Sequence, residues 1–422
     1  MRLILSASIA VFALSAQAQV TFTKDVAPIL QARCQTCHRP DTFAPMSLLT
    51  YEDARPWAKS IKQKVVAREM PPWYIDKNVG VRHFSNDVSL SDQEIATIAK
   101  WVDGGALKGN ASDMPRPRTF DDSAQWHMQP DLIVTLPKDQ LVPGKAADRW
   151  IDVLVDPGLT EDRYIKGIEV KPIKGFKAVH HVTTSMKHED DADDGGADAV
   201  QGTFLNEYAL GKNADVFPDG AGRLIKAGTK INFNLHLHAI GQDTPANVAL
   251  GLKFYPKGYT PKYSETTEKI GDPKDLDIPA NSDGVRFDAY NTLTKPARLL
   301  SFQPHMHNRG KASCMEAIYP GGHKVEMLSC VSHYQFAWHI VYLYDEADQP
   351  LLPAGTVLHL TSWYDNSVGN KFNPDADNTI TYGQRTIDEM GGAWVSYYNL
   401  TDEEYKQQVE ARKAKLAVAQ SE

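Results

Sequence analysis

The run Pro304-His305-Met306-His307-Asn308-Arg309-Gly310 constrains the fold of this chain more than any other segment. Two imidazoles at i and i+2 face the same way when the backbone is extended, because strand side chains alternate faces with period two. Two further histidine groups precede it, His180-His181 and His236-Leu237-His238. A scaffold in which separate strands lend histidines to common sites is therefore expected.

The texture of the chain supports that scaffold. From Asp131 onward short alternating or β-branched runs recur, among them Leu132 to Leu136, Trp150 to Val155 and Val248 to Leu252, separated by Gly/Pro turns. This spacing predicts two all-β sandwiches in tandem, over 129–275 and 276–400, with the break where Pro, Asp, Asn and Gly cluster between Gly271 and Gly284. Residues 401–422 read as a polar helical tail. The acidic run Asp190 to Asp198 lacks EF-hand spacing and reads as a solvated loop.

The first part of the chain differs. Residues 19–112 predict a small helical unit, and 113–128, rich in proline and without period, a linker. Val26, Ile29 and Leu30 recur at helical spacing just before Cys34. Ser91-Asp92-Gln93-Glu94 is a capping box, with Leu90 placed to staple against Ile95, and Gly104-Gly105 ends the helix it opens. Cys34-Gln35-Thr36-Cys37-His38 has the form C-x-x-C-H, in which two thioethers fix a haem c and the histidine is its proximal ligand. For the sixth ligand, Met70 in Glu69-Met70-Pro71-Pro72-Trp73 competes with Met46, and His83 is the remaining candidate. Helices before the haem motif and at the end of the unit are the arrangement of a class I cytochrome c.

Length and composition set the outer bounds. A 422-residue chain is long enough for two or three domains, and a net charge of −8 argues against a nucleic-acid partner. Met1 to Ala18, with Arg2, an apolar run to Leu14 and Ala16-Gln17-Ala18, has the order of a secretory signal cleaved near Ala18. No other stretch approaches about 18 apolar residues, so no stable membrane insertion is expected of a periplasmic or secreted product. Cys314 and Cys330 flank the turn Tyr319-Pro320-Gly321-Gly322 and read as a disulfide across a hairpin.

Far downstream, Met390 adds a thioether to the His305/His307 pair, and two imidazoles with one soft sulfur suit copper cycling between Cu(I) and Cu(II). Four motifs then fall in one order: Val179-His180-His181-Val182, Asn234-Leu235-His236-Leu237-His238, His305-Met306-His307 with Gly310-Lys311, and Thr386-Ile387-Asp388-Glu389-Met390. Residues 129 to about 400 resemble the copper type II, ascorbate-dependent monooxygenases, the family of peptidylglycine α-hydroxylating monooxygenase and dopamine β-monooxygenase. The resemblance implies an electron-transfer copper on His180, His181 and His236, and a catalytic copper on His305, His307 and Met390. It further implies insertion of one oxygen atom of O2 into a C–H bond of an organic substrate. Ascorbate is the family's reductant, whereas the fused haem suggests a redox protein or quinol-linked donor.

Spacing alone leaves His236 and His238 open, since both share a face, and resemblance favours His236. Adjacent His180 and His181 face opposite ways on a regular strand, so a shared metal requires a local irregularity or ligation through different ring nitrogens. Gln303 and Trp394 stand where peptide-hydroxylating relatives carry a carboxylate-gripping arginine and a tyrosine, which argues against a C-terminal glycine peptide. His127, His323, His333, His339 and His359 read as buried histidines bonded to carbonyls, and His83 as a surface residue. The absence of a cysteine beside a suitable histidine argues against a multicopper oxidase. An electron-transfer or copper-handling module, and a haem-bearing ligand-binding protein, fit the same residues without hydroxylation.

Overall fold

The computed structural model describes residues 19–40, 42, 44–120, 126–188, 203–212, 214–271 and 273–419. The expected signal segment Met1 to Ala18 and the acidic run Asp190 to Asp198 lie outside the described residues. The chain divides into two compact units, residues 1–71 with 89–119, and residues 72–88 with 120–422.

The first unit carries the helices Ala27–Arg33, Tyr51–Ala54, Ala58–Val66 and Asp92–Asp103. Their apolar faces close over Phe22, Val26, Leu30, Leu48, Ile61, Val65, Ile98 and Trp101. The capping box forms as its sequence requires: Glu94 N–H donates to Ser91 Oγ at 3.2 Å and Ser91 N–H donates to Glu94 Oε2 at 2.7 Å. Gly105 follows at φ +92°, where a side chain would be strained, and the helix stops. Part of the expected linker belongs here, because Arg118 Nη1 donates to Gln31 O at 2.6 Å and Gln31 Nε2 to Arg116 O at 3.1 Å.

One segment departs from the expected unit 19–112. Residues 72–88 pack with the β-rich unit, where Trp73, Ile75 and Phe84 are core residues. Asp76 N–H donates to Cys330 O at 2.8 Å and Val81 N–H to Leu328 O at 2.9 Å. Three large apolar side chains in a proline-flanked run find no helical face to join, and bury against a sheet instead.

The second unit is mostly β-sheet. Its first core lies between the four-stranded sheet Arg149–Val155, Lys230–Leu237, Val179–Lys187, Thr203–Tyr208 and the strands Leu132–Thr135, Thr244–Phe254, Arg163–Lys174, Ala221–Ile225. Its second core lies between Asp283–Thr292, Val357–Asp365, Gly310–Ile318, Val325–Val331 and the strands Tyr263–Ile270, Gly391–Asn399, Ala297–Met306, Tyr342–Leu343. The inner strands of both belong to one 11-stranded sheet. The strand that joins them is Tyr263–Ile270, parallel to Ala221–Ile225 at Tyr263 and Ser264 and antiparallel to Gly391–Asn399 along its length. A strand that the sequence places before the break at 275 thus completes the sheet of the later sandwich.

Cys314 and Cys330 are directly opposed across two antiparallel strands and are disulfide-bonded. The C-terminal helix spans Asp402–Ala419, capped by Thr401 and Glu404 through reciprocal bonds of 3.2 and 2.9 Å. Among the described residues no helix is long and apolar enough to cross a membrane.

Candidate functional site

The histidine groups from both halves of the β-rich unit open onto one cavity of about 340 Å³. Its walls include His180, His181, His305, His307 and Met390, with Trp150, Phe336, His339, Glu207, Lys269 and Trp394.

On the first side the strand Val179–Lys187 is irregular at the point where it matters. Val179 opposes Leu237 and His181 opposes His236, so His180 is an extra residue bulged out of the ladder. The bulge brings the two sequence neighbours to one place. Nδ1 of His181 lies 3.1 Å from Nδ1 of His180 and 3.4 Å from Nδ1 of His236. Four-coordinate ligands held at about 2.0 Å by a metal would stand about 3.3 Å apart, so these separations fit a shared ion. Among the described residues this trio is the group whose ligand atoms all fall within 4.8 Å of one another.

Asp148 separates His236 from His238. Its Oδ2 holds His236 Nε2 at 2.9 Å and its Oδ1 holds His238 Nδ1 at 2.7 Å. That carboxylate fixes the His236 ring with Nδ1 toward the other two histidines, as supporting groups do at metal sites. Trp150, the cross-strand neighbour of His236, stacks on its ring at 4.1 Å. His238 remains exposed beyond Asp148.

The second side is built from His305, His307 and the run Asp388 to Met390. His305 sits near the end of Ala297–Met306 opposite Gly392, and Met306 between the histidines turns into the core. Glu389 is fully buried and ties the two segments together. Its Oε1 accepts from the N–H of His307 and, at 3.0 Å, of Met390, while Oε2 accepts from Arg309 N–H at 2.9 Å. Burial pushes this carboxyl up to about 7, against the pull of those amide donors. His307 Nδ1 lies 3.2 Å from Asp388 O. Tyr364 donates to Met390 O at 3.0 Å.

Burial dominates the electrostatics of these rings. Desolvation, then the neighbouring His236, lowers His180 to about 4; desolvation lowers His307 to about 4 and drives His181 and His305 well below the ordinary imidazole range. All are neutral near pH 7, the form that binds metal.

Three contributors escaped sequence reasoning. His339, read as a carbonyl-bonded core residue, lines the cavity with its ring centre 4.9 Å from that of His305. Phe336 stands between the two sides, its ring centre 6.3 Å from His180 and 6.1 Å from His307. Glu207 is a buried carboxyl on the cavity wall that accepts from Gln303 Nε2. Trp394 lines the same wall and stacks on Phe204 at 4.3 Å. The remaining histidines also differ from expectation: His323 and His333 are exposed, and His127 and His359 bond carboxylates, not carbonyls. His83 is exposed and pairs with Asp348.

In the helical unit Cys34 and Cys37 are free thiols, and burial raises both, Cys34 to about 12. His38 follows within one turn, its N–H donating to Cys34 O at 2.9 Å. His38 Nδ1 lies 3.2 Å from Met46 O. Met70 is half-buried near the end of this unit's first segment.

No protein-family model matches the chain. No curated protein sequence matches it. Among solved structures, the major capsid protein P2 of bacteriophage PM2 is similar over 63% of this chain and 96% of its own, at 8% identity and a TM-score of 0.29. A Paenibacillus xanthan lyase is similar over 70% of this chain and 28% of its own, at 10% identity and a TM-score of 0.17. The infectious bursal disease virus Gx strain structure is similar over 69% and 81%, at 9% identity and a TM-score of 0.17. Likenesses this slight establish neither family nor function.

Proposed function

We propose that this chain is an exported copper- and haem c-containing monooxygenase that hydroxylates a C–H bond of an organic substrate with O2. The observation that carries the reading is one cavity lined by His180 and His181, which cluster with His236, and by His305, His307 and Met390. The donor chemistry differs between the two sides in the way two roles require. Three imidazoles suit a tightly held ion that passes single electrons, whereas two imidazoles and a thioether favour the reduced ion and leave room for a further ligand.

With copper bound, the cavity would supply one-electron redox chemistry and O2 activation, one oxygen atom going to the substrate and the other leaving as water with two electrons and two protons from the reductant. The chain's own residues account for the rest. Asp148 and Trp150 hold the His236 ring, and Glu389 sets His307 beside Met390 through main-chain N–H groups. Phe336 stands between the two sides, with His339 beside it. Trp394 and Phe204 offer a flat aromatic wall, and Glu207 with Gln303 a polar pair, in place of an arginine clamp. An apolar or aromatic substrate bearing a polar group fits that wall.

The helical unit fits a class I cytochrome c. Cys34 and Cys37 would carry the thioethers and His38 Nε2 the iron. His38 Nδ1 faces the Met46 carbonyl, which would leave Nε2 for the iron and Met46 on the supporting side of that ring. Met70 is therefore the better sixth ligand. The Met1 to Ala18 segment, the Cys314–Cys330 disulfide and the haem motif together favour the periplasm or exterior. O2, a reductant such as ascorbate or a redox protein, and the substrate are the partners this reading requires.

The test is reoxidation of the anaerobically reduced, copper-loaded protein by O2. Met390→Ile is expected to abolish the oxygen-dependent step and leave the haem spectrum intact. Wild-type protein that takes up no O2, or a variant that reacts like wild type, overturns the reading.

A further inference from the structure

We propose that the cavity takes a small aromatic carboxylic acid, its carboxylate held by the Lys269 ammonium and its ring lying against Trp394. The inference rests on the reading of this cavity as the substrate site of a monooxygenase and names the class of compound it admits.

The long sheet sets the ammonium and the indole beside one another. Lys269 and Trp394 are directly opposed across the antiparallel strands Tyr263–Ile270 and Gly391–Asn399, so both project from one face at neighbouring positions. On the next strand Gln303 opposes Trp394 and His305 opposes Gly392, which puts the His305 side chain on that same face. Gly392 carries no side chain, and the place a Cβ would take lies 3.4 Å from Lys269 Cε. The lysine stem therefore passes over Gly392, which brings its ammonium to the His305 side. Its charge is felt there, adding to the lowering that burial begins at that imidazole.

Charge and size on the wall select the ligand. Apart from the imidazoles, Lys269 and Glu207 are the lining side chains whose ordinary state near pH 7 is charged. Glu207 is buried, its Oε1 already accepts from Gln303 Nε2, and burial raises its carboxyl toward the neutral form. Lys269 is thus the charge an entering molecule meets; it attracts an anion and repels a cation. A volume of about 340 Å³ is at the lower end for ligand pockets and suits a single ring. Trp394 is held by Phe204, stacked at 4.3 Å with an interplanar angle of 15°, and presents a fixed aromatic surface to that ring. His305, His307 and Met390 line the same space, so the end of the ring opposite the carboxylate remains within the cavity they share.

The experiment titrates the full chain, before copper loading, with 4-ethylbenzoate, its neutral counterpart 4-ethylbenzamide and the cation 4-ethylbenzylammonium, with calorimetry as the readout. The benzoate is expected to bind about 10–100-fold tighter than the benzamide, and the benzylammonium more weakly than either. Lys269→Gln is expected to remove that preference while leaving the benzamide affinity unchanged, which also reports that the cavity is intact. Lys269→Arg should restore it. Trp394→Leu should weaken benzoate and benzamide alike, by roughly threefold to tenfold. Equal binding of benzoate and benzamide to the wild-type chain, a preference that survives Lys269→Gln, or no binding of any probe overturns the proposal. None of these results bears on reoxidation of the copper-loaded protein by O2. Conversely, a chain that selects the benzoate through Lys269 but takes up no O2 keeps the anion site and overturns the monooxygenase reading alone.

Discussion

His180 and His181 are neighbours in sequence, yet their Nδ1 atoms stand 3.1 Å apart on one side of the sheet. A single extra residue in the ladder between Val179 and His181 makes this possible. Regular pleating would send one ring into the core and the other toward the cavity. The bulge turns a dipeptide into a chelating pair, and the third ring, His236, completes it from the adjacent strand.

Because Asp148 fixes His236 through Nε2, its removal is expected to loosen the trio without deleting a ligand. Asp148→Ala should weaken copper retention at the first side by about 10–100-fold. His238→Ala, on the other oxygen of the same carboxylate, should change it little. Chelator competition on the two variants separates the ligand from its exposed neighbour.

Gly391 has no room for a side chain. A Cβ there would lie 2.2 Å from Tyr364 Oη, the group that donates to Met390 O. Gly391→Ala is expected to cost about 1–3 kcal/mol in urea unfolding and to displace Met390, lowering copper retention at the second side. Tyr364→Phe removes the clashing oxygen, so the double variant should recover most of the stability but not the anchoring of Met390.

Some of this site is legible in the sequence and some is not, for physical reasons. Period two marks His305 and His307, whereas Met390 is singled out only by the resemblance of the run Thr386 to Met390. The capping box at Ser91 and the opposed Cys314 and Cys330 are equally local. A bulge leaves no residue signature, so His180 can be placed only in the folded strand. His339 and Phe336 lie in an aperiodic run after Val331, where spacing carries no direction. Glu207 gives no sign of facing Gln303, because the bond spans two strands distant in the chain. The excursion of residues 72–88 is hidden for the same reason: Trp73, Ile75 and Phe84 are apolar in any context, and only the sheet decides where they bury.

Arg223 holds the junction of the long sheet. Its guanidinium pairs with Glu265, with Nε to Oε2 at 2.9 Å, and reaches Phe204 O, Leu205 O and Thr267 Oγ1 at 3.0, 3.0 and 2.9 Å. Arg223→Met strands a buried carboxylate and is expected to cost about 3–5 kcal/mol. Because the same side chain supports the strand carrying Phe204 and Glu207, the aromatic wall should loosen too. Near-UV circular dichroism and urea midpoints check both effects.

Burial raises Glu207 above the ordinary carboxyl range, with Lys212 and the Gln303 bond pulling the other way. The native state therefore keeps a proton that the unfolded chain releases. Stability from this group is complete below about pH 4 and is lost as pH rises through the raised value. Glu207→Gln in the copper-free chain is expected to match wild type in acid and to exceed it increasingly toward neutral pH. A constant difference across pH 4–8 would mean the carboxyl is not held protonated.

Metal content tests the central claim most directly. Copper measured by mass spectrometry after extensive dialysis is expected at two ions per wild-type chain. It should fall to one in His180→Ala/His181→Ala and to one in His305→Ala/His307→Ala, with haem iron unchanged throughout. Substoichiometric copper lost on dialysis, or the same content in all three proteins, would contradict two separate copper sites on one cavity.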